Sequence, residues 1–127
     1  RLKPVTAGGI AMAAYEAIKA YYARQRIRAT AHVALCEEAA IGAVAALNEL
    51  GVSVPEEVSL VDYAGTSRAQ LCIPSLTAID VNVDQHLDAA LKQIESIFDD
   101  PHRPSTSGYL TVIPPSLIER GSTAKRN

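Results

Sequence analysis

Nineteen residues, LNELGVSVPEEVSLVDYAG from Leu47 to Gly65, constrain this chain more than any other part of it. Apolar residues at helical spacing run up to Gly51, and glycine takes the left-handed conformation that closes a helix without a side-chain penalty. Pro55 bars the helix from resuming. Val58, Leu60 and Val61 then form a short apolar run of strand length, bounded by turn-forming residues, as a strand covered on both faces requires. PSLTAIDV, Pro74 to Val81, supplies a second strand. A helix, a tight connection and a buried strand in this order make one unit of an α/β protein.

The rest of the chain repeats the pattern. Ile10, Ala14, Ala17, Ile18 and Tyr21 recur at helical spacing between about Ile10 and Ala23, with Glu16 and Lys19 facing water. Thr30 to Cys36 is predicted as a strand. Glu37 to Leu50 is a helix with Ile41, Val44, Leu47 and Leu50 inward, while Gly42 and several alanines permit close approach to a sheet. Val58 to Tyr63 is the next strand. From Leu76 to Val83, Thr77, Ile79, Val81 and Val83 alternate with Ala78, Asp80 and Asn82, the pattern of a half-exposed strand. Asp84 to Phe98 is a helix whose seam is Leu87, Leu91, Ile94 and Phe98. A loop with Pro101, Pro104, Ser105, Ser107 and Gly108 precedes a last predicted strand, Tyr109 to Ile113. Strands separated by helices need crossover connections, so the expected fold is α/β with a mostly parallel sheet and flanking helices.

Composition narrows the function. At 127 residues the chain is of single-domain size, and a net charge of −2 gives no general attraction to nucleic acid or anionic membranes. Cys36 and Cys72 lie in neither metal nor redox spacing and fit a reducing, cytoplasmic compartment. No apolar run reaches membrane-spanning length, and no secretory signal is visible. The chain begins at Arg1 without a methionine, which leaves room for an upstream segment. His32, His86 and His102 are dispersed; Asp84 and Asp88 flank His86 on what reads as an exposed polar helix face, not a metal site. There is no nucleophile elbow, phosphate-binding glycine loop or carboxylate pair with a partner base, so neither catalysis nor a cofactor or metal is expected. Arg24, Arg26 and Arg28 have a local reason to follow a helix C-terminus, and Lys125, Arg126 and Asn127 read as a loose tail.

The helix ending in Leu-Gly, the Pro-x-x-Val-Ser that leads into a strand, and the Pro-x-Leu-Thr beyond it resemble the effector-binding domain of LacI/GalR-type bacterial transcriptional regulators. AIGAVAAL from Ala40 and PPSLIERGST from Pro114 extend the resemblance over roughly the last two thirds of the chain. Such regulators carry a small helix-turn-helix DNA-binding segment before two similar α/β lobes of periplasmic-binding-protein-like fold, crossed three times by the chain, with a small effector in the cleft. The resemblance implies that residues 1–127 are a fragment of that domain, with about 1–76 and 114–127 in the C-terminal lobe and about 77–113 crossing to the N-terminal lobe. DNA would be bound only through a segment outside this chain, and no membrane would be involved. The helix 84–98 would then lack the sheet it normally covers. Burying its four large apolar side chains is worth about 1.5–3 kcal/mol each, so a partner is expected: a missing fragment, or a second copy in a homodimer, with exchange of this helix as one form of it. A periplasmic solute-binding protein of a transporter, whose two-lobe fold is similar, is the alternative, although Arg120, Ser122 and Thr123 after Pro-Pro-x-Leu resemble the regulators more.

In open α/β sheets, ligands bind outside the carboxyl ends of the strands. One such end delivers Cys36 and Glu37, and the next delivers Tyr63, Ala64 and Gly65. In the resembled family the first pair is usually Asn-Asp, the aspartate accepting effector hydrogens; these positions fall on Cys36 and Glu37. The second end is commonly Gly-Tyr-Asp-Asp. Here Asp62 stands in place of the glycine and Ala64 and Gly65 in place of the two acids, while a crossover glutamine falls on Val81. One lengthened acid remains, so the resemblance implies a small-molecule effector, sugar-like or another small metabolite, with fewer polar partners than an ordinary sugar needs, or a decayed site. Glu37 and Glu38 also have a structural reading, since carboxylates are favoured by the positive end of a helix. Cys36 reads as a small buried hydrophobe at a strand end rather than as a reactive thiol.

Overall fold

The computed structural model describes residues 9–24, 29–99 and 110–125. Helix α1 (Gly9–Arg24), strand β1 (Ala31–Ala34), helix α2 (Glu37–Glu49), strand β2 (Ser59–Asp62), a 3₁₀ turn (Ala69–Leu71), strand β3 (Thr77–Asp80), helix α3 (Val83–Asp99) and strand β4 (Ser116–Ile118) follow one another in that order. The described residues fall into two compact units, divided between Asp80 and Val81 and between Ser116 and Leu117.

In the first unit β1 and β2 run parallel with Ala34 beside Asp62, and β2 and β3 run parallel with Asp62 beside Ala78. The sheet order is β1-β2-β3-β4. The termination of α2 is local in origin: Gly51, at φ +68°, lets its own N–H reach the Asn48 carbonyl and the Val52 N–H reach that of Leu47. This double closure brings Val52 against Leu47, and both are buried. Ser53 then accepts from the Glu57 N–H and donates its own N–H to the Glu57 carboxylate, which sets the approach to β2.

Between α2 and the sheet, Ala40, Ala43 and Val44 pack on Ala34, Leu60, Ala69 and Leu76. On the other side of α2, Gly42 meets α1, not the sheet: a methyl group there would collide with the Ala11 carbonyl oxygen. The predicted inward stripe of α1 is rotated accordingly. Ile10 and Ala17 are exposed, and Tyr22 is the buried side chain, packed on Leu47 and Val52 beside Ile18. Tyr21 meets the His32 ring edge-on at 5.7 Å, Tyr22 lies tilted to it at 6.0 Å, and the Tyr22 hydroxyl lies 3.3 Å from His32 Nε2. Lys19, expected in water, is ion-paired to Glu49 at 2.5 Å. Leu50, expected inward, is the C-cap of α2 and is exposed.

The C-terminal segment is stitched between β2 and β3. Ser122, fully buried, accepts the Leu60 N–H at its carbonyl (2.8 Å), accepts the Thr77 N–H at Oγ (2.8 Å) and donates from Oγ to the Leu60 carbonyl (2.5 Å). The Thr77 hydroxyl accepts from the Arg120 N–H and pairs with the Thr123 hydroxyl. Thr77 and Ala78 are both buried, so the predicted alternation from Leu76 to Val83 does not hold. The strand is covered on both faces at its start and ends at Asp80, and Val83 opens a helix.

In the second unit Asn82, at φ +55°, donates to the Pro114 carbonyl and accepts from Ser116, and its carbonyl receives the His86 N–H one turn into α3. No residue of α3 is buried. Leu87, Leu91, Ile94 and Phe98 are exposed, along with Val83 and Ile97. Of the strand predicted over Tyr109–Ile113, the described part, residues 110–113, has no regular structure, and the strand that follows is the three-residue β4. An apolar β-branched run makes a strand only where a neighbouring edge receives it, and Leu110 and Val112 are open to solvent. Arg26, Arg28, His102, Tyr109 and the prolines at 101 and 104 lie outside the described residues.

Candidate ligand-binding site

Parallel pairing places the carboxyl ends of β1, β2 and β3 at one edge of the first unit. The Tyr63 N–H donates to the Ala34 carbonyl (2.8 Å), so the segment after β1 and the segment after β2 leave the sheet side by side. Cys36 is the N-cap of α2 in extended conformation, and its side chain makes no capping bond. Its role there is steric, and the helix N-terminus takes its negative charge from Glu37 and Glu38.

The two glutamates differ. Glu38 is exposed, whereas Glu37 is turned inward with 5% of its surface accessible. Arg68, from the loop after β2, donates from Nε (2.7 Å) and Nη2 (2.5 Å) to the same oxygen, Glu37 Oε2. Glu37 Oε1 is buried without a hydrogen-bond partner. Beside it Asp62 is fully buried; Oδ2 accepts a long bond from the Gly65 N–H (3.4 Å), and Oδ1 has no partner. Burial pushes the Asp62 carboxyl above the usual carboxylate range; the Gly65 N–H pulls it down, the Glu37 charge pushes it further up, and Arg120 opposes that. Cys72, just past the 3₁₀ turn, has its thiol pushed up by burial and by the same two acids.

Gly65 makes the arrangement possible. Its φ is +72°, and a Cβ there would lie 2.7 Å from the Asp80 Cα, so only glycine lets the loop after β2 close against the end of β3. Tyr63 is exposed at the mouth and Ala64 is half-buried. Cys36, Glu37, Tyr63, Ala64 and Gly65 thus share one edge, as expected from strand ends. Val81 opens the other unit and stays an expectation from the resemblance.

Two functional candidates were missed in the sequence. Asp62 was read as a substitution for glycine, although its position two residues after the buried Leu60 puts it on the same covered face. Arg68 lies 31 residues from Glu37, and only the fold joins them. A separate depression of ≈ 370 Å³ is lined by Tyr22, Thr30, Pro55, Glu57, Ser59 and Lys125. It lies at the amino ends of β1 and β2, the edge opposite the strand ends described above, and its two acids, Glu56 and Glu57, are exposed.

Comparison with known proteins gives a consistent set. Residues 3–123 match the family described as periplasmic binding protein-like domain. The chain is 28% identical over 102 residues to the HTH-type transcriptional repressor PurR of Glaesserella parasuis, covering 77% of this chain and 30% of that protein. The crystal structure of the Escherichia coli transcriptional repressor AscG superposes with a TM-score of 0.74 at 25% identity, over 90% of this chain and 40% of that one. A LacI family transcriptional regulator from Enterococcus faecalis, solved with bound ribose, superposes with a TM-score of 0.73 at 26% identity, over 92% of this chain and 42% of that one. The chain spans about a third or less of the length of the curated relatives it matches.

Proposed function

Since this chain belongs to the periplasmic-binding-protein-like domain family, in its LacI-type effector-binding form, we propose that it is the effector-sensing and dimerising portion of a cytoplasmic transcriptional regulator whose DNA contacts are made by a segment outside residues 1–127. The observation that carries the reading is the pair of buried carboxylate oxygens without partners, Glu37 Oε1 and Asp62 Oδ1, at the strand ends where this fold binds ligands. A buried acceptor without a donor costs about 1–3 kcal/mol, and a ligand that supplies donors offsets that cost only when bound. Such a ligand shifts the equilibrium between open and closed arrangements of a two-lobe domain, and in a dimer this alters the spacing of the DNA-binding segments. No catalytic step is assigned to these residues.

The exposed apolar seam of α3, Leu87, Leu91, Ile94 and Phe98, is covered in this proposal by the remainder of the two-lobe domain or by a second copy. The matched relatives are named as HTH-type transcriptional repressors or regulators, which favours the regulator over a transporter's solute-binding protein. Among the described residues no helix is long and apolar enough to cross a membrane. The test is a thermal-shift screen of small metabolites on the native full-length protein, repeated with Glu37→Ala. A ligand that raises the melting temperature, alters operator binding and loses both effects in Glu37→Ala supports the proposal. Ligand effects that are identical in Glu37→Ala place the site elsewhere.

A further inference from the structure

We infer that Glu37 and Asp62 select a ligand that presents a cationic nitrogen, an ammonium or amidinium group, in preference to a neutral polyol; this rests on the strand-end crevice being the effector site. The first argument is one of donors and acceptors. Two buried carboxylate oxygens, Glu37 Oε1 and Asp62 Oδ1, lack donors, and the backbone of a third acid, Asp80, lies against Gly65. Arg68 directs Nε and Nη2 at Glu37 Oε2 and not at Oε1, and Arg120 donates to the Leu76 carbonyl at 2.6 Å. An ammonium brings three donors and no acceptor, whereas each sugar hydroxyl also brings an acceptor that needs a donor in return.

The second argument is charge. With both carboxylates ionised, one guanidinium in direct contact leaves the buried pair short of a positive charge, and an uncompensated buried carboxylate is costly. Burial and the Glu37 charge both shift Asp62 toward its protonated form. A ligand nitrogen meets the same deficit. An inorganic cation fits less well, because among the described residues no group of three or more His, Cys, Asp or Glu is gathered to hold one.

The groups that face Asp62 are few. They are Glu37 from the first turn of α2, the Gly65 N–H from its own loop, Cys72 after the 3₁₀ turn, and Arg120 from the C-terminal segment. Burial and the two acids push the Cys72 thiol up, further from the carboxylate range. Asp62 is therefore the group whose proton is exchanged, and cation binding strengthens as pH rises through its titration.

The experiment is a nitrogen-15 amide NMR titration of the native full-length protein with butylammonium and, in parallel, with butanol and ribose. Butylammonium is expected to move the amides of residues 36–37 and 62–65, to bind more tightly at pH 7 than at pH 4, and to weaken at least tenfold in Asp62→Asn and in Glu37→Gln. Ribose binding at these amides more tightly than butylammonium, with no loss in Asp62→Asn, overturns the cation preference and leaves the effector site standing. If no probe moves these amides, both this inference and the site beneath it fail. Should Asp62→Asn lose the dispersed amide spectrum of the fold, the pH dependence of the unsubstituted chain decides: butylammonium affinity that is equal at pH 4 and pH 7 overturns the proton exchange.

Discussion

Replacing Ser122 by alanine tests whether the C-terminal segment holds the strands that carry the site. The hydroxyl accepts the Thr77 N–H at 2.8 Å and donates to the Leu60 carbonyl at 2.5 Å, with Ser122 and Leu60 fully buried and Thr77 nearly so. Without Oγ the Thr77 N–H is an orphaned buried donor, which costs about 1–3 kcal/mol, and the Leu60 carbonyl loses a bond worth about 0.5–1.5 kcal/mol. The space of one oxygen atom is too small for a water molecule to take over both bonds. The expected destabilisation is therefore about 2–3 kcal/mol, a large share of the roughly 5–15 kcal/mol that holds a typical domain together. Urea unfolding followed by far-ultraviolet circular dichroism measures it, with the slope against urea expected to stay unchanged. Thr123→Ala, which removes only a hydroxyl pair at the half-buried edge, is expected to cost less than half as much. A loss below about 0.5 kcal/mol for Ser122→Ala at unchanged slope would show that the backbone bond from Leu60 N–H to the Ser122 carbonyl is sufficient and that the hydroxyl bridge is incidental.

Other perturbations address the remaining links. Gly42→Ala forces a methyl group against the Ala11 carbonyl, so α1 and α2 must separate; a loss of about 1–3 kcal/mol in urea unfolding is expected. Asp62 has its folded-state carboxyl above the ordinary 3.8, so the folded state binds that proton more tightly than the unfolded one. Its contribution is fully present below pH 3.8 and is lost as pH rises through the raised value. Relative to Asp62→Asn, the unsubstituted chain is expected to lose urea stability between pH 4 and pH 7, and parallel profiles would contradict the assignment. Leu87→Gln combined with Leu91→Gln, at two positions each 57% exposed, is expected to reduce binding of a hydrophobic dye and any self-association seen by sedimentation, without a loss of helix by circular dichroism.

The parts of this fold that were legible in the sequence are those decided within a few residues. The end of α2 needs only Leu47, Asn48, Gly51 and Val52, which satisfy one another, and α3 declares itself by its apolar seam whether or not anything covers it. The failures are non-local. Which side of α1 faces inward depends on where Gly42 admits it, a relation across 31 residues of chain. Leu110 to Ile113 has strand composition, yet the three residues that form β4 follow two prolines and have no strong strand signature. At the site, Glu37 was visible because strand ends are where α/β sheets bind ligands, but its partner Arg68 and its buried neighbour Asp62 are brought to it only by the pairing of Ala34 with Asp62 and by the loop that Gly65 closes.

Asp62 is the residue at which stability and the proposed ligand binding meet. It occupies the covered face of a strand next to Leu60, where an apolar side chain would pack without penalty. Removing an ionised carboxylate from water costs several kcal/mol unless it is paired, and its one bond here, 3.4 Å from the Gly65 N–H, is too long to compensate. Packing therefore gives no reason for an acid at this position. This strand and its neighbour β3 are both secured to the C-terminal segment, by the Leu60 and Thr77 bonds to Ser122 and by the Arg120 bond to the Leu76 carbonyl, which lets the sheet keep its register with a frustrated carboxyl at its end. A local defect held in place by a rigid frame, with its missing donor at the proposed ligand-binding edge, is the arrangement expected where binding completes the structure.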